Sequence, residues 1–206
     1  MTDSFLYPEF SDRLIGRLAD LKIEFWEMAL AELADVVDVI AEADDYGTQE
    51  SQLISPDHFR EYYKPHISRI IKSIKHSAPK AKIMFHSCGN VRPIIPDFIE
   101  IGIDILNPVH INATAMEPYQ LKKDFGKDVV FWGGGVDTQK ILASGTTDEV
   151  KADVLKNIDA LAPGGGFVFA AVHNIQSEVP PENIIAMVDM LNNFNGNHNH
   201  PTKTTP

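Results

Sequence analysis

The chain has 206 residues, 44% of them hydrophobic and 23% charged, with 13 Gly and 13 Pro; that composition excludes a collagenous, low-complexity or largely disordered chain. Lys plus Arg is 18 against 29 for Asp plus Glu, a formal net charge of -11, which argues against binding nucleic acid or docking on an anionic membrane. The single cysteine, Cys88, excludes an intrachain disulfide and points to a reducing, cytoplasmic setting. Met1 to Glu9 carries no signal-peptide pattern, and no apolar run approaches the ~20 residues of a membrane span.

In chain order, Ser11 to Ala34 is predicted as a helix, with Leu14, Leu18, Leu21, Ile23, Phe25, Leu30 and Leu33 near one face. The β-branched run Val36 to Ala41 is predicted as a strand. Ser55 caps the next helix, with Pro56 at its first position and Pro65 a potential kink inside it. The alternation then repeats. Strands are predicted at Lys82 to Phe85, Ile103 to Leu106, Val129 to Trp132 and Phe167 to Ala171. Helices follow near Val91 to Ile101, Glu117 to Phe125, Thr147 to Leu161 and Glu182 to Asn193. One domain over 1–194 and a disordered tail over 195–206 are expected, His198 and His200 belonging to tail composition rather than to a metal site.

Short apolar strands separated by helices imply a parallel sheet. Two architectures satisfy that pattern, an open doubly wound sheet and a closed (β/α)8 barrel of which five βα units are visible. A dinucleotide fingerprint is absent. In both architectures ligands bind at the C-terminal ends of the strands. The loops there read EADDYGTQ, HSCGN, NPVH, GGGVDTQ and VHNIQ, all polar or metal-competent. The loops at the other end (SAPKA, EIGID, FGKD, APGGG) are bland turn chemistry.

His86 and Cys88 stand two apart at a strand end, so their side chains point the same way. Imidazole plus thiolate suits zinc. The third ligand has to be a His or a carboxylate, with His173, His110, Asp137, Asp44 and Asp45 as candidates. Three ligands and an open position would make such a zinc catalytic. Asp44 and Asp45 are adjacent, so at most one of them faces a central cavity, as general acid, base or support for the metal ligands. His58, His66 and His76 read as surface or packing residues.

Taken together, five segments resemble the uroporphyrinogen decarboxylase superfamily: EADDYGTQESQLISPDHFREYY, FHSCGNV, GIDILNP, WGGGVDTQ and VHNIQSEVPPENI. That resemblance implies a (β/α)8 TIM barrel and one of two activities. The zinc methyltransferases of the superfamily, which act with corrinoid proteins, carry the H-x-C found at His86 and Cys88. Their third ligand falls where His173 stands before Pro180-Pro181-Glu182-Asn183. The decarboxylases of haem synthesis also carry a His there but lack the H-x-C. The resemblance therefore implies zinc on His86, Cys88 and His173, catalysis involving Asp44, Asp45 and His173, and substrate contacts from Asn107, Asp137 and Gln176. A small-molecule substrate, a corrinoid protein partner and a homo-oligomer are expected. With five of about eight units visible, the chain is expected to be an N-terminally truncated barrel. Porphyrinogen decarboxylation and a non-catalytic fragment needing a partner are the alternative readings.

Overall fold

The structure, a computed structural model, describes residues 2–198, with side chains through residue 194. A short helix α1 (Asp3–Leu6) leads into α2 (Pro8–Leu33), which starts with proline at its first position. Strand β1 (Val39–Ala43) follows, then α3 (Pro56–His58), a π-turn (Phe59–Tyr63) and α4 (Lys64–Ser77). The rest alternates: β2 (Lys82–His86), a 3-10 turn and α5 (Ile95–Glu100), β3 (Ile105–Asn107), α6 (Pro118–Phe125), β4 (Val130–Trp132), α7 (Ile141–Ser144) and α8 (Thr147–Leu161), β5 (Phe167–Val168) and α9 (Pro181–His198). Residues 199–206, most of the expected tail, lie outside the described residues, and α9 continues to His198. Among the described residues no helix is long and apolar enough to cross a membrane.

All five strands are parallel and pair in sequence order, β1-β2-β3-β4-β5. A doubly wound sheet reverses its strand order at a switch point. No reversal occurs here, so the sheet is an arc of barrel wall and the doubly wound alternative falls.

Local chemistry explains the elements. The Ser55 hydroxyl accepts the His58 N–H, as expected of an N-cap. Thr146 and Glu149 form a reciprocal capping box on α8. Pro65 falls at the second position of α4, and the π-turn before it absorbs the break in hydrogen bonding. The first strand begins later than predicted, because Val36 and Val37 donate back to Leu33 O and complete the turn ending α2. The last strand is shorter than predicted. Gly133 and Gly135 N–H still donate to Val168 and Ala170 O, but the glycine backbone departs from strand geometry there.

The core lies between the sheet and the helices. Phe59, Phe85 and Phe98 are buried, with Phe85–Phe98 and Phe59–Phe98 centroids 5.0 and 5.8 Å apart. Burying each such ring contributes ~2–3 kcal/mol. Beside them Asp97, 5% exposed, accepts from Arg60 and from Lys64 Nζ at 2.8 Å. Burial alone would raise the Asp97 pKa, but the hydrogen bonds and charges of Arg60 and Lys64 hold it below the usual carboxylate value. Its contribution is therefore present above the unfolded value of ~3.9 and lost as pH falls through the lower folded one. Asp97→Asn is expected to cost about 2 kcal/mol at neutral pH, less than a fully buried pair because Arg60 is open to solvent. Urea melts at neutral pH and near pH ~3 should show the mutant's deficit shrinking on acidification.

His58 and His66 are packing residues, as expected. His58 bonds Ser4 at 2.7 Å and stacks on Phe5, while His66 bonds Asp12 at 2.8 Å.

Candidate metal centre

The register of β1 on β2 sets the site. Ala43 pairs with His86, and Asp44 N–H donates to His86 O, so the next residue, Asp45, reaches the inner face where His86 and Cys88 point. A ligand-capable atom of each of Asp45, His86 and Cys88 lies within 4.8 Å of the other two. Among the described residues this is the one such group.

Each member is held in place. Asp45 Oδ1 accepts the Cys88 N–H at 2.8 Å. Asn107 Nδ2 donates to Trp132 O at 3.0 Å, which turns its Oδ1 toward His86 Nδ1 at 2.7 Å. His86 therefore donates from Nδ1 and keeps a lone pair on Nε2. The Cys88 thiol donates to that Nε2 at 3.4 Å. A tetrahedral zinc bonded to both would separate sulfur and nitrogen by about 3.6 Å. The donor set and spacing suit a zinc ion.

Electrostatics agree. Partial burial pushes the Cys88 thiol up, and the Asp45 charge pushes it further. A carboxylate beside a thiol disfavours a free thiolate, and a cation between them reverses that preference.

The HSCGN loop is anchored from several sides. Tyr46 N–H donates to Ser87 Oγ at 3.1 Å, and Gly89 N–H to His110 Nδ1 at 3.0 Å. Burial lowers the His110 pKa, and its neighbour His173 lowers it further. His110 is thus a neutral acceptor that positions the loop.

The remaining sequence candidates divide. His173 is exposed and shares a cavity of about 520 Å³ with His86 and Asn107, but does not join the ligand group. The expected trio was His86, Cys88 and His173; the ligand-capable atoms that lie within 4.8 Å of one another are those of Asp45, His86 and Cys88. His173 sits on the loop after a two-residue strand, whereas Asp45 is placed by the β1–β2 register. Asp44 points the other way, accepts the Tyr46 hydroxyl at 2.8 Å and lines a separate cavity of about 360 Å³ with Lys22 and Glu42. Although Asp44 is exposed as a residue, crowding of its carboxyl raises its pKa, with the Tyr46 bond and Lys22 opposing.

Asn107, expected to touch substrate, orients His86 and lines the same cavity as His173. Asp137 is 7% exposed and accepts from Gln139 N–H, Lys140 N–H and Asn112 Nδ2. All three bonds fall on Oδ1. Gln176 is exposed and lines a neighbouring cavity with His110 and His173. The hydrogen bonding of Asn107 and His110 was missed from sequence, although both stand in the NPVH loop already singled out.

A family model described as "Uroporphyrinogen decarboxylase (URO-D)" matches residues 1–194. A uroporphyrinogen decarboxylase from Vesicomyosocius okutanii subsp. Calyptogena okutanii is 25% identical, over 91% of this chain and 50% of its own. Another, from Pelodictyon phaeoclathratiforme, is 21% identical over 89% and 49%. A methyltransferase structure from Methanosarcina mazei superposes with a TM-score of 0.64 at 25% identity, covering 86% of this chain and 47% of its own. The chain spans about half the length of the curated relatives it matches. Match and fold together place the chain in the uroporphyrinogen decarboxylase (URO-D) family.

Proposed function

We propose that the chain carries the metal centre of a zinc-dependent methyltransferase, with Asp45, His86 and Cys88 as protein ligands. The observation that carries this reading is the convergence of a carboxylate, an imidazole lone pair and a thiol at the strand ends. The raised Cys88 pKa supports a cation site over a metal-free thiol nucleophile, which needs the opposite shift. The likeness to the Methanosarcina mazei methyltransferase supports the same reading.

Zinc bound here would supply a Lewis acid that keeps a substrate sulfur in its thiolate form. The protein's share is positional. Asn107 fixes the His86 tautomer, and Asp45 sets the Cys88 backbone while offering a second negative donor. His173 and Asn107 border the cavity beside His86, where a small thiol and its methyl donor would meet. His173 is the group placed to take or return a proton there. A methylated corrinoid on a partner protein is the proposed donor, and the cytoplasm the proposed setting.

Metal analysis of the purified chain is expected to give about one zinc per chain. A methyl-transfer assay with methylated corrinoid and a small thiol is expected to be zinc-dependent. Zinc content near zero after loading would sink the reading. The name shared by the curated relatives supports a second one, porphyrinogen decarboxylation. Coproporphyrinogen formed without added zinc would establish it in place of the first.

A further inference from the structure

His110 has one ring nitrogen engaged and one idle. Nδ1 accepts the Gly89 N–H at 3.0 Å, so the ring proton sits on Nε2. Among the described residues that Nε2 is buried and has no partner. Burial and the neighbouring His173 keep the ring neutral, with Asp137 opposing. His110 is thus a fixed, neutral donor for which the fold supplies no acceptor. A buried donor left in that state is destabilising, and folded proteins rarely carry one without a use.

The ring lines a cavity of about 470 Å³ at the C-terminal ends of β3, β4 and β5, together with Thr138, Gln139, His173, Gln176 and Glu178. This cavity adjoins the one beside His86, since Val172, His173 and Asn174 border both. Gly89, to which the ring is bonded, directly follows Cys88. The uncharged polar lining is amide, hydroxyl and imidazole. Glu178 is acidic, and among the described residues no Lys or Arg lines the cavity.

We propose that this cavity receives the far end of the thiol substrate, and that this end is an uncharged carboxamide whose carbonyl oxygen accepts from His110 Nε2. The place of the sulfur rests on the metal-centre reading, whereas recognition of the amide does not. A neutral imidazole N–H suits a neutral carbonyl, and Gln176 and Glu178 on the same cavity offer acceptors for the amide N–H. A carboxylate, sulfonate or phosphate in that place would face Glu178 with no cation to balance it. His173, Gln176 and Glu178 are exposed, and exposed side chains change rotamer within nanoseconds, so they can part to admit the group.

Calorimetric titration of the zinc-loaded chain uses 3-mercaptopropionamide and 3-mercaptopropionate, which differ only in the terminal group. The amide is expected to bind about tenfold tighter or more, the worth of one ordinary neutral hydrogen bond. His110→Asn puts an oxygen near the place of Nδ1, keeping an acceptor for the Gly89 N–H while removing the Nε2 donor. It is expected to narrow the preference to within about threefold and to leave zinc affinity unchanged. Equal or tighter binding of the carboxylate by the wild type overturns the proposal, as does a preference that survives in His110→Asn. If that variant fails to fold, the His110 Nε2–H proton resonance of the wild type decides. It is expected to shift with the amide and not with the carboxylate, and an unmoved resonance overturns the proposal. Propanamide, which has no thiol, is then titrated into the zinc-free chain. A shifted resonance in a chain that binds no zinc would keep the amide site and sink the metal centre, and no shift would overturn the amide site alone.

Discussion

His86→Ala and Cys88→Ala are each expected to weaken zinc binding by about two to three orders of magnitude. A structural zinc site with four protein ligands is worth ~10–16 kcal/mol, so a single ligand carries roughly 3 kcal/mol. Competition against a chromophoric chelator reads this directly. A graded series separates ligands from their supports. Asn107→Leu removes the acceptor that fixes the His86 tautomer while leaving all three ligands, and is expected to cost ~10–100-fold. Asn107→Asp keeps that acceptor and is expected to stay within about threefold of wild type. His173→Ala is expected to change affinity less than about threefold while impairing turnover, because His173 borders the cavity without joining the ligand group. A loss at His173 as large as at Cys88 would restore it as the third ligand and displace Asp45.

The contrast between Asp45 and His173 shows where sequence reading reached its limit. That all five polar loops gather at one end was legible, because strand–helix alternation in a parallel sheet fixes the end at which loops follow strands. The H-x-C pair was legible because alternate residues share a face. Which of Asp44 and Asp45 turns inward depends on the β1–β2 register, and register is a pairing between segments some forty residues apart. Asn107 was visible as a polar residue at a strand end, but its role rests on a contact with Trp132 O on the next strand. Helix α2 illustrates a different limit. Its apolar positions read as lying near one face, yet Leu14, Leu18, Leu21 and Phe25 are exposed while Ala19, Ile23 and Leu30 pack inward. Periodicity locates apolar stripes and says nothing of which one meets the sheet.

Gly89→Ala is expected to damage stability and metal binding together. The HSCGN loop crosses the loop after β1 glycine against glycine. A Cβ at Gly89 would lie 2.5 Å from Gly47 C and from Thr48 O, and one at Gly47 would lie 2.6 Å from Cys88 O. Those atoms are backbone and have no rotamer by which to retreat. Gly89 also holds φ +81°, a conformation that costs a side chain on its own. The crossing is tied by Asn90 N–H to Thr48 O at 2.7 Å and Gln52 Nε2 to Asn90 O at 3.1 Å. It is this approach that delivers Asp45 to the Cys88 N–H. Forcing the loops apart is expected to cost about 2–4 kcal/mol, the left-handed strain and the overpacking together. Zinc affinity should fall at least ~10-fold as Asp45 withdraws. Gly164→Ala is the matched control. It has φ +78° and nothing within 4 Å of the added Cβ, so only the conformational cost of ~1 kcal/mol applies and zinc binding is untouched. Urea melts and zinc titrations of the two variants make the comparison. Equal stability and equal affinity would mean that the glycine crossing does not hold the metal centre together.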